Sequence, residues 1–200
     1  MLETIHYQLG VPSARRMHVA LLAEQALGEK LALAIPGRDA RLLLLAEACD
    51  LQLAAVVQRE RVLGVASFHS VLGGLSREFP FRRLYARLGL VGALRARLVL
   101  SLLGRREAPA ELLLDGLIIA RNARGRGLGR GLLSRVDQIA RAQGCSEIRL
   151  DVVEAPDEAR LDYERLGFVP RAALARSRFW RLLGFNHATS LVLKVQRPEL

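Results

Sequence analysis

The sequence predicts an α/β fold in which a mixed, mostly antiparallel sheet carries helices on its flanks, and three observations lead there. The first is the stretch from Leu112 to Gly131, LLLDGLIIARNARGRGLGRG, where a short apolar run precedes four glycines at alternate positions. Behind it Leu128, Leu132, Val136, Ile139 and Ala140 fall on one helical stripe, so the segment reads strand, glycine-arginine loop, helix. The second is a pair of apolar runs, Leu51 to Gln58 and Val62 to His69, separated only by the charged Arg59-Glu60-Arg61. A turn that short cannot hold a crossover, so the two strands are antiparallel. The third is the order beyond the loop, where strand and helix patterns alternate to the end of the chain.

Taken from the start, Thr4 to Leu9 is a first strand stopped by Gly10 and Pro12. Ser13 can N-cap a helix through about Leu27, with Val19, Leu22, Ala23 and Ala26 inward and Gly28 as its C-cap. Asp39 can cap a second helix through Ala48, whose leucine run is expected to be mostly buried. After the hairpin, residues 71–108 form an insertion opened by Gly73-Gly74 and Pro80, with a helix from about Arg82 to Leu103. That helix mixes leucines with Arg82, Arg83, Arg87, Arg95 and Arg97, a composition suited to covering a sheet, closing over a substrate, pairing two copies, or touching a membrane surface. The helix after the glycine loop is expected to stop at Gln143-Gly144, followed by a strand at Ile148 to Val153. Asp157 caps a short helix through Leu166, Ala172 to Leu183 adds a further helix, and Thr189 to Val195 is a last strand. The 200 residues read as a single domain, 1–200, without repeats or linkers.

A hydrophobic fraction of 51% and a positive mean hydropathy exclude a disordered chain. The net charge of +10 is carried almost wholly by arginine, since Lys30 and Lys194 are the only lysines. No zinc-finger spacing or RNA-binding motif accompanies it, which makes nucleic acid an unlikely partner, while a small polyanion remains suitable. Cys49 and Cys145 are too few for a disulfide framework, and the scattered histidines give no metal-ligand spacing. The opening residues MLETIHYQLG lack the regions of a signal peptide, and Arg95 and Arg97 interrupt the most apolar stretch. A reduced, cytoplasmic protein without a metal is expected.

The glycine-arginine loop is built for phosphate. A helix begins with backbone N–H groups that have no intrahelical partner, and its dipole favours an anion there. Glycines let the backbone approach a ligand, and arginines add charge-assisted bonds. A dinucleotide fingerprint would need glycine at Leu132 or at Arg130, and no Gly-Lys-Ser/Thr follows for a P-loop.

Arg124-Gly125-Arg126-Gly127-Leu128-Gly129 resembles the (Gln/Arg)-x-x-Gly-x-(Gly/Ala) signature of the GNAT N-acetyltransferase superfamily. Ala159, Tyr163 and Gly167-Phe168 stand where that superfamily usually has Ala-x-x-x-Tyr-x-x-x-Gly-Phe, and the likeness extends from Leu112 to Phe168. The chain departs from the pattern at Pro156, where an asparagine is common. The resemblance implies a GNAT-like acyl-CoA N-acyltransferase fold and transfer of acetyl from acetyl-CoA to a primary amine by direct attack. It also implies cofactor contacts from Leu117, Ile118 and Ile119 and from the loop residues Arg124, Gly125, Arg126, Gly127, Leu128, Gly129, Arg130 and Gly131. The Ile119 N–H would donate to the thioester carbonyl, and Tyr163 would protonate the departing thiolate. For the base, Asp115 beside Gly116 is the first candidate, with Glu111, Glu154 and His69 as others, because glycine inside a strand marks a bulge or a close ligand. The alternative is a catalytically weak or inactive acyl-CoA-binding sensor or interaction module on the same fold.

Overall fold

The computed structural model describes residues 5–48, 53–58, 61–69, 79–103, 110–153, 157–173 and 188–195. The elements in chain order are β1 (Ile5–Leu9), a 3-10 turn (Ser13–Arg15), α1 (Arg16–Ala32), α2 (Arg38–Ala48), β2 (Leu53–Gln58), β3 (Arg61–His69) and α3 (Phe81–Leu103). There follow β4 (Glu111–Ile119), α4 (Leu128–Ala142), β5 (Glu147–Val153), α5 (Asp157–Arg165), β6 (Val169–Ala173) and β7 (Ala188–Lys194). The strands make one seven-stranded sheet in the order β1-β2-β3-β4-β5-β7-β6. Every neighbouring pair is antiparallel except β4 with β5. The mixed, mostly antiparallel sheet expected from the sequence is therefore the one observed. The single parallel pair follows from α4, because a helical crossover returns the chain in the same direction.

Alternation along the strands gives the sheet two apolar faces. On one, Leu112 and Leu114 of β4 and Ile148 and Leu150 of β5 meet the α4 stripe of Leu128, Leu132, Leu133, Val136 and Ala140. Removing such buried side chains from water contributes about 2 kcal/mol each, which fixes α4 and the loop ahead of it against the central strands. On the other face, Ala55, Val57, Val62 and Val65 pack with Val11 and Val19 of the segment leading into α1 and of α1 itself. Gly144, with φ at +73°, ends α4 as expected.

An ion pair joins α1 to α2. The Arg41 guanidinium meets the Glu24 carboxylate at 2.6 Å, with both side chains 9% exposed. Arg41 also donates to the carbonyls of Ile35 and Pro36, each at 2.7 Å, which closes the connection between the two helices. The hydrogen bond to Glu24 raises the Arg41 pKa further above its usual value, so the guanidinium stays charged at any physiological pH. An Arg41→Ala chain is expected to lose roughly 3 kcal/mol, read as a lowered urea midpoint, because Glu24 is left buried and uncompensated.

Some expectations change. Gly28 lies inside α1 and not at its end, where an added Cβ would come 2.9 Å from the Glu24 carboxylate. Within the leucine run of α2, Leu44 and Leu45 are buried but Leu43 is exposed, since one helical face is all that α2 packs. Residues 169–173 form a strand on the β7 edge, so the helix expected from Ala172 does not start there, and its remainder lies outside the described residues. Helix α3 packs on α2 through Leu84, Ala93 and Ala96 against Ala34, Ile35 and Leu44, a cluster without a strand residue among those described. Among the described residues it forms an outer layer on the helices.

Candidate active site

The site is built where β4 and β5 part. Their ladder runs from Glu111↔Glu147 to Leu114↔Leu150 and stops there. Strand β5 continues on β7 as far as Val153↔Ala188, and β4 continues on β3 as far as Gly64↔Ile119. From Asp115 onward the two strands therefore diverge, and a gap opens in the middle of the sheet.

A β-bulge marks the point of divergence. On β3, Ser67 pairs with Gly116 and Phe68 with Leu114, so Asp115 is the extra residue. Among the described residues, nothing lies within 4 Å of where a Cβ on Gly116 would stand, although it is on the central strand. Asp115 is paired there with His69, Asp115 Oδ2 to His69 Nε2, with the histidine 6% exposed and the carboxylate 16%. Two of the candidate bases, Asp115 and His69, are thus brought together at the bulge. Glu111 sits at the start of β4, engaged by Arg149 at 2.9 Å and Arg171 at 2.6 Å, and Glu154 lies outside the described residues.

Backbone direction decides which amides face the gap. The Ala120 N–H donates to the Leu63 carbonyl at 2.8 Å. Alternation along an antiparallel ladder then turns Ile118 towards β3, and turns the N–H groups of Leu117 and Ile119 away from it, into the gap. The Leu117 and Ile119 amides are thus turned away from β3, whereas the Ile118 amide is taken by the sheet and its side chain joins the α1-side cluster. Gly64 secures this placement: a Cβ there would lie 2.6 Å from Ile119 Cδ1 and 2.8 Å from the Ile118 carbonyl. The isolated glycine within the β3 run was the available signal for it.

The glycine loop stands at the mouth of the gap. A 3-10 turn (Arg121–Ala123) leads through extended Arg124 to Gly125 and Gly127, whose φ values are +75° and +72°. Gly127 is the N-cap of α4, and added Cβ atoms at either glycine would meet nothing within 4 Å among the described residues. Arg124, Arg126 and Arg130 are exposed, and Arg126 donates to Gln58 Oε1 at 3.0 Å. No acidic residue stands in the first turn, so nothing there offsets the positive end of the dipole. A Cβ on Gly129 would stand 3.4 Å from Leu117 Cδ2, which puts the helix start directly against β4.

The amides of two loop residues are taken up within the first turn of the helix. The N–H groups of Arg130 and Gly131 both bond the Gly127 carbonyl, at 3.1 and 3.3 Å, so neither is available to a ligand. Gly131 instead admits Tyr7 of β1, whose hydroxyl would lie 2.1 Å from a Cβ at that position. Gly131→Ala is expected to lower stability by about 1–3 kcal/mol, with Tyr7→Ala in the same chain recovering part of it in thermal denaturation.

Tyr163 lies on α5, its ring edge-on to Phe168 with centroids 5.9 Å apart. The Phe168 N–H donates to the Tyr163 carbonyl at 3.1 Å, and Gly167 at φ +98° makes the turn between them. Tyr-x-x-x-Gly-Phe is thus also a helix-ending motif that fixes the tyrosine against the core. The structure adds a further pair that was not expected: Ser190 of β7 donates to the buried Asp151 of β5 at 3.0 Å.

The sequence model of the Acetyltransferase (GNAT) family matches residues 45–168. No curated protein sequence matches the chain. Among solved structures, the yncA protein of Salmonella typhimurium, determined with its cofactor acetyl-CoA, aligns with a TM-score of 0.57 at 16% identity, covering 98% of this chain and 96% of its own. The aminoglycoside 6'-acetyltransferase type Ii gives 0.59 at 12% identity over 98% and 99% of the two chains. The ribosomal-protein-S18-alanine N-acetyltransferase of Escherichia coli gives 0.54 at 14% identity over 98% and 97%. At these identities the likeness is one of fold, and the family match spans more than half of the sequence. The chain belongs to the GNAT family of acetyltransferases.

Proposed function

We propose that the protein is an N-acetyltransferase, moving acetyl from acetyl-CoA to a primary amine by direct attack within a ternary complex. The observation that carries this reading is the parting of β4 from β5 at the Asp115 bulge, with the Leu117 and Ile119 amides turned into the opening and an anion-binding helix start beside it. The amides from Gly125 to Gly129 and the exposed arginines Arg124, Arg126 and Arg130 suit a pyrophosphate. The open edge of β4 suits the amide-containing pantetheine arm, in the manner of an added strand.

In this reading the Ile119 N–H donates to the thioester carbonyl oxygen as charge builds on it. Asp115 takes a proton from the substrate ammonium, directly or through water, so that the free amine attacks the thioester carbonyl, and the buried His69 holds the carboxylate in place. Tyr163 gives its phenolic proton to the departing sulfur as the C–S bond breaks. Tyr163→Phe is expected to lower kcat by roughly tenfold, with acetyl-CoA affinity unchanged, since water substitutes partly for a phenol. The 200 residues act as one unit, and the acceptor enters over Gly116.

Release of CoA thiol on adding a panel of amines to protein and acetyl-CoA tests the function. Amine-dependent release, with initial-rate lines that intersect, is expected. Parallel lines would indicate an acetyl-enzyme and overturn direct attack. Tight acetyl-CoA binding without release across the panel would make the chain a sensor.

A further inference from the structure

We infer that the outward face of α3 docks on an anionic lipid surface. Beyond the break at Gly89, where φ is +68°, residues 90–103 form a helix whose inner side, Ala93, Ala96, Val99 and Leu100, packs in the cluster on α2. On its outer side Leu90, Val91, Leu94 and Leu98 are 57%, 82%, 54% and 62% exposed. At about 100° per residue these four make a stripe roughly 100° wide. Arg97 lies just beyond one margin of the stripe and Arg95 just beyond the other, and Tyr85, 53% exposed, precedes the break. The remaining faces of α3 are thus accounted for, and this apolar one is turned outward.

Charge chooses the occupant. Phe79 to Leu103 contains five arginines and no Asp or Glu, so it carries +5 of the chain's +10. Glu47 of α2 engages Arg87 at 2.6 Å, and Arg95 reaches the Leu33 carbonyl at 3.3 Å, while Arg82 and Arg97 are exposed. Two copies meeting through this stripe would bring two such +5 segments together. A nucleic acid would match the arginines and leave four large apolar side chains in water. A single helix is a ridge, not a groove, and an apolar ridge between arginines matches the boundary between acyl chains and acidic headgroups. No helix among the described residues is long and apolar enough to cross a membrane, so the contact is one of lying on the surface.

The full-length chain, sedimented with vesicles of phosphatidylcholine alone or with about 30% phosphatidylglycerol, tests this independently of catalysis. At least about tenfold more protein is expected on the anionic vesicles. Leu94→Glu with Leu98→Glu should abolish that gain, and Arg97→Glu should lower it, with the melting temperature and acetyl-CoA affinity of both variants unchanged. Equal binding to both vesicles, or binding that survives the double substitution, would overturn the inference. So would a dimer in solution that the double substitution dissociates without any vesicle binding, since the stripe would then belong to self-association.

Discussion

Gly127→Ala is expected to raise the dissociation constant for acetyl-CoA by roughly a hundredfold, about 2.7 kcal/mol of binding free energy. Gly127 caps α4 with φ at +72° and ψ at 6°, a conformation that costs an L-residue about 1–2 kcal/mol. Its Cβ would meet no described residue within 4 Å and would stand where the proposed pyrophosphate approaches the backbone. Gly144 separates the two effects. It ends the same helix at φ +73°, also with no described residue within 4 Å of an added Cβ, but at the opposite terminus. Gly144→Ala should therefore cost similar stability and leave acetyl-CoA binding unchanged. Isothermal titration with thermal denaturation of both variants checks the pair, and equal binding by both would remove the loop from the ligand site.

Asp115→Asn is expected to lower kcat by about a hundredfold to a thousandfold, with KM for acetyl-CoA within about twofold, since it removes a base and keeps the side chain's shape. Asp115 is the bulged residue beside Gly116, and His69 grips one of its carboxylate oxygens from β3. His69 is then a positioning residue. His69→Gln, which keeps an N–H donor, should retain most of kcat, while His69→Leu should lose about tenfold or more with the fold intact. Steady-state kinetics on the three variants checks this. A kcat for Asp115→Asn within about threefold of the unaltered chain would assign the proton elsewhere.

Much of this site was legible in the residues. The glycine-arginine loop showed a helix start suited to an anion, and Asp115-Gly116 hinted at the bulge. Both signals are local, set by backbone freedom and spacing along a few residues. The pairing of His69 with Asp115 was not legible, because it depends on the register between β3 and β4, which one inserted residue shifts. The same holds for Gly131. Its place in the glycine series suggested ligand contact, but Tyr7, more than a hundred positions earlier, supplies the reason for it. Ile118 sits between two residues whose amides face the opening, and only strand alternation against Leu63 distinguishes it from them. The placement of α3 on α2 was hidden for a further reason. Its leucine pattern is apolar on two sides, and the sequence does not say which side meets the helices and which meets solvent.

The central claim is that the ligand lies along β4 where β5 leaves it. Amide chemical shifts of the uniformly 15N-labelled protein, recorded as acetyl-CoA is added, test that claim most directly. The account predicts that Leu117, Ile119 and Gly125 to Gly129 shift strongly and that Leu117 and Ile119 gain protection from exchange, while Ile118, already bonded within the sheet, keeps its protection. Saturable binding that leaves Leu117 and Ile119 unshifted and unprotected would contradict it.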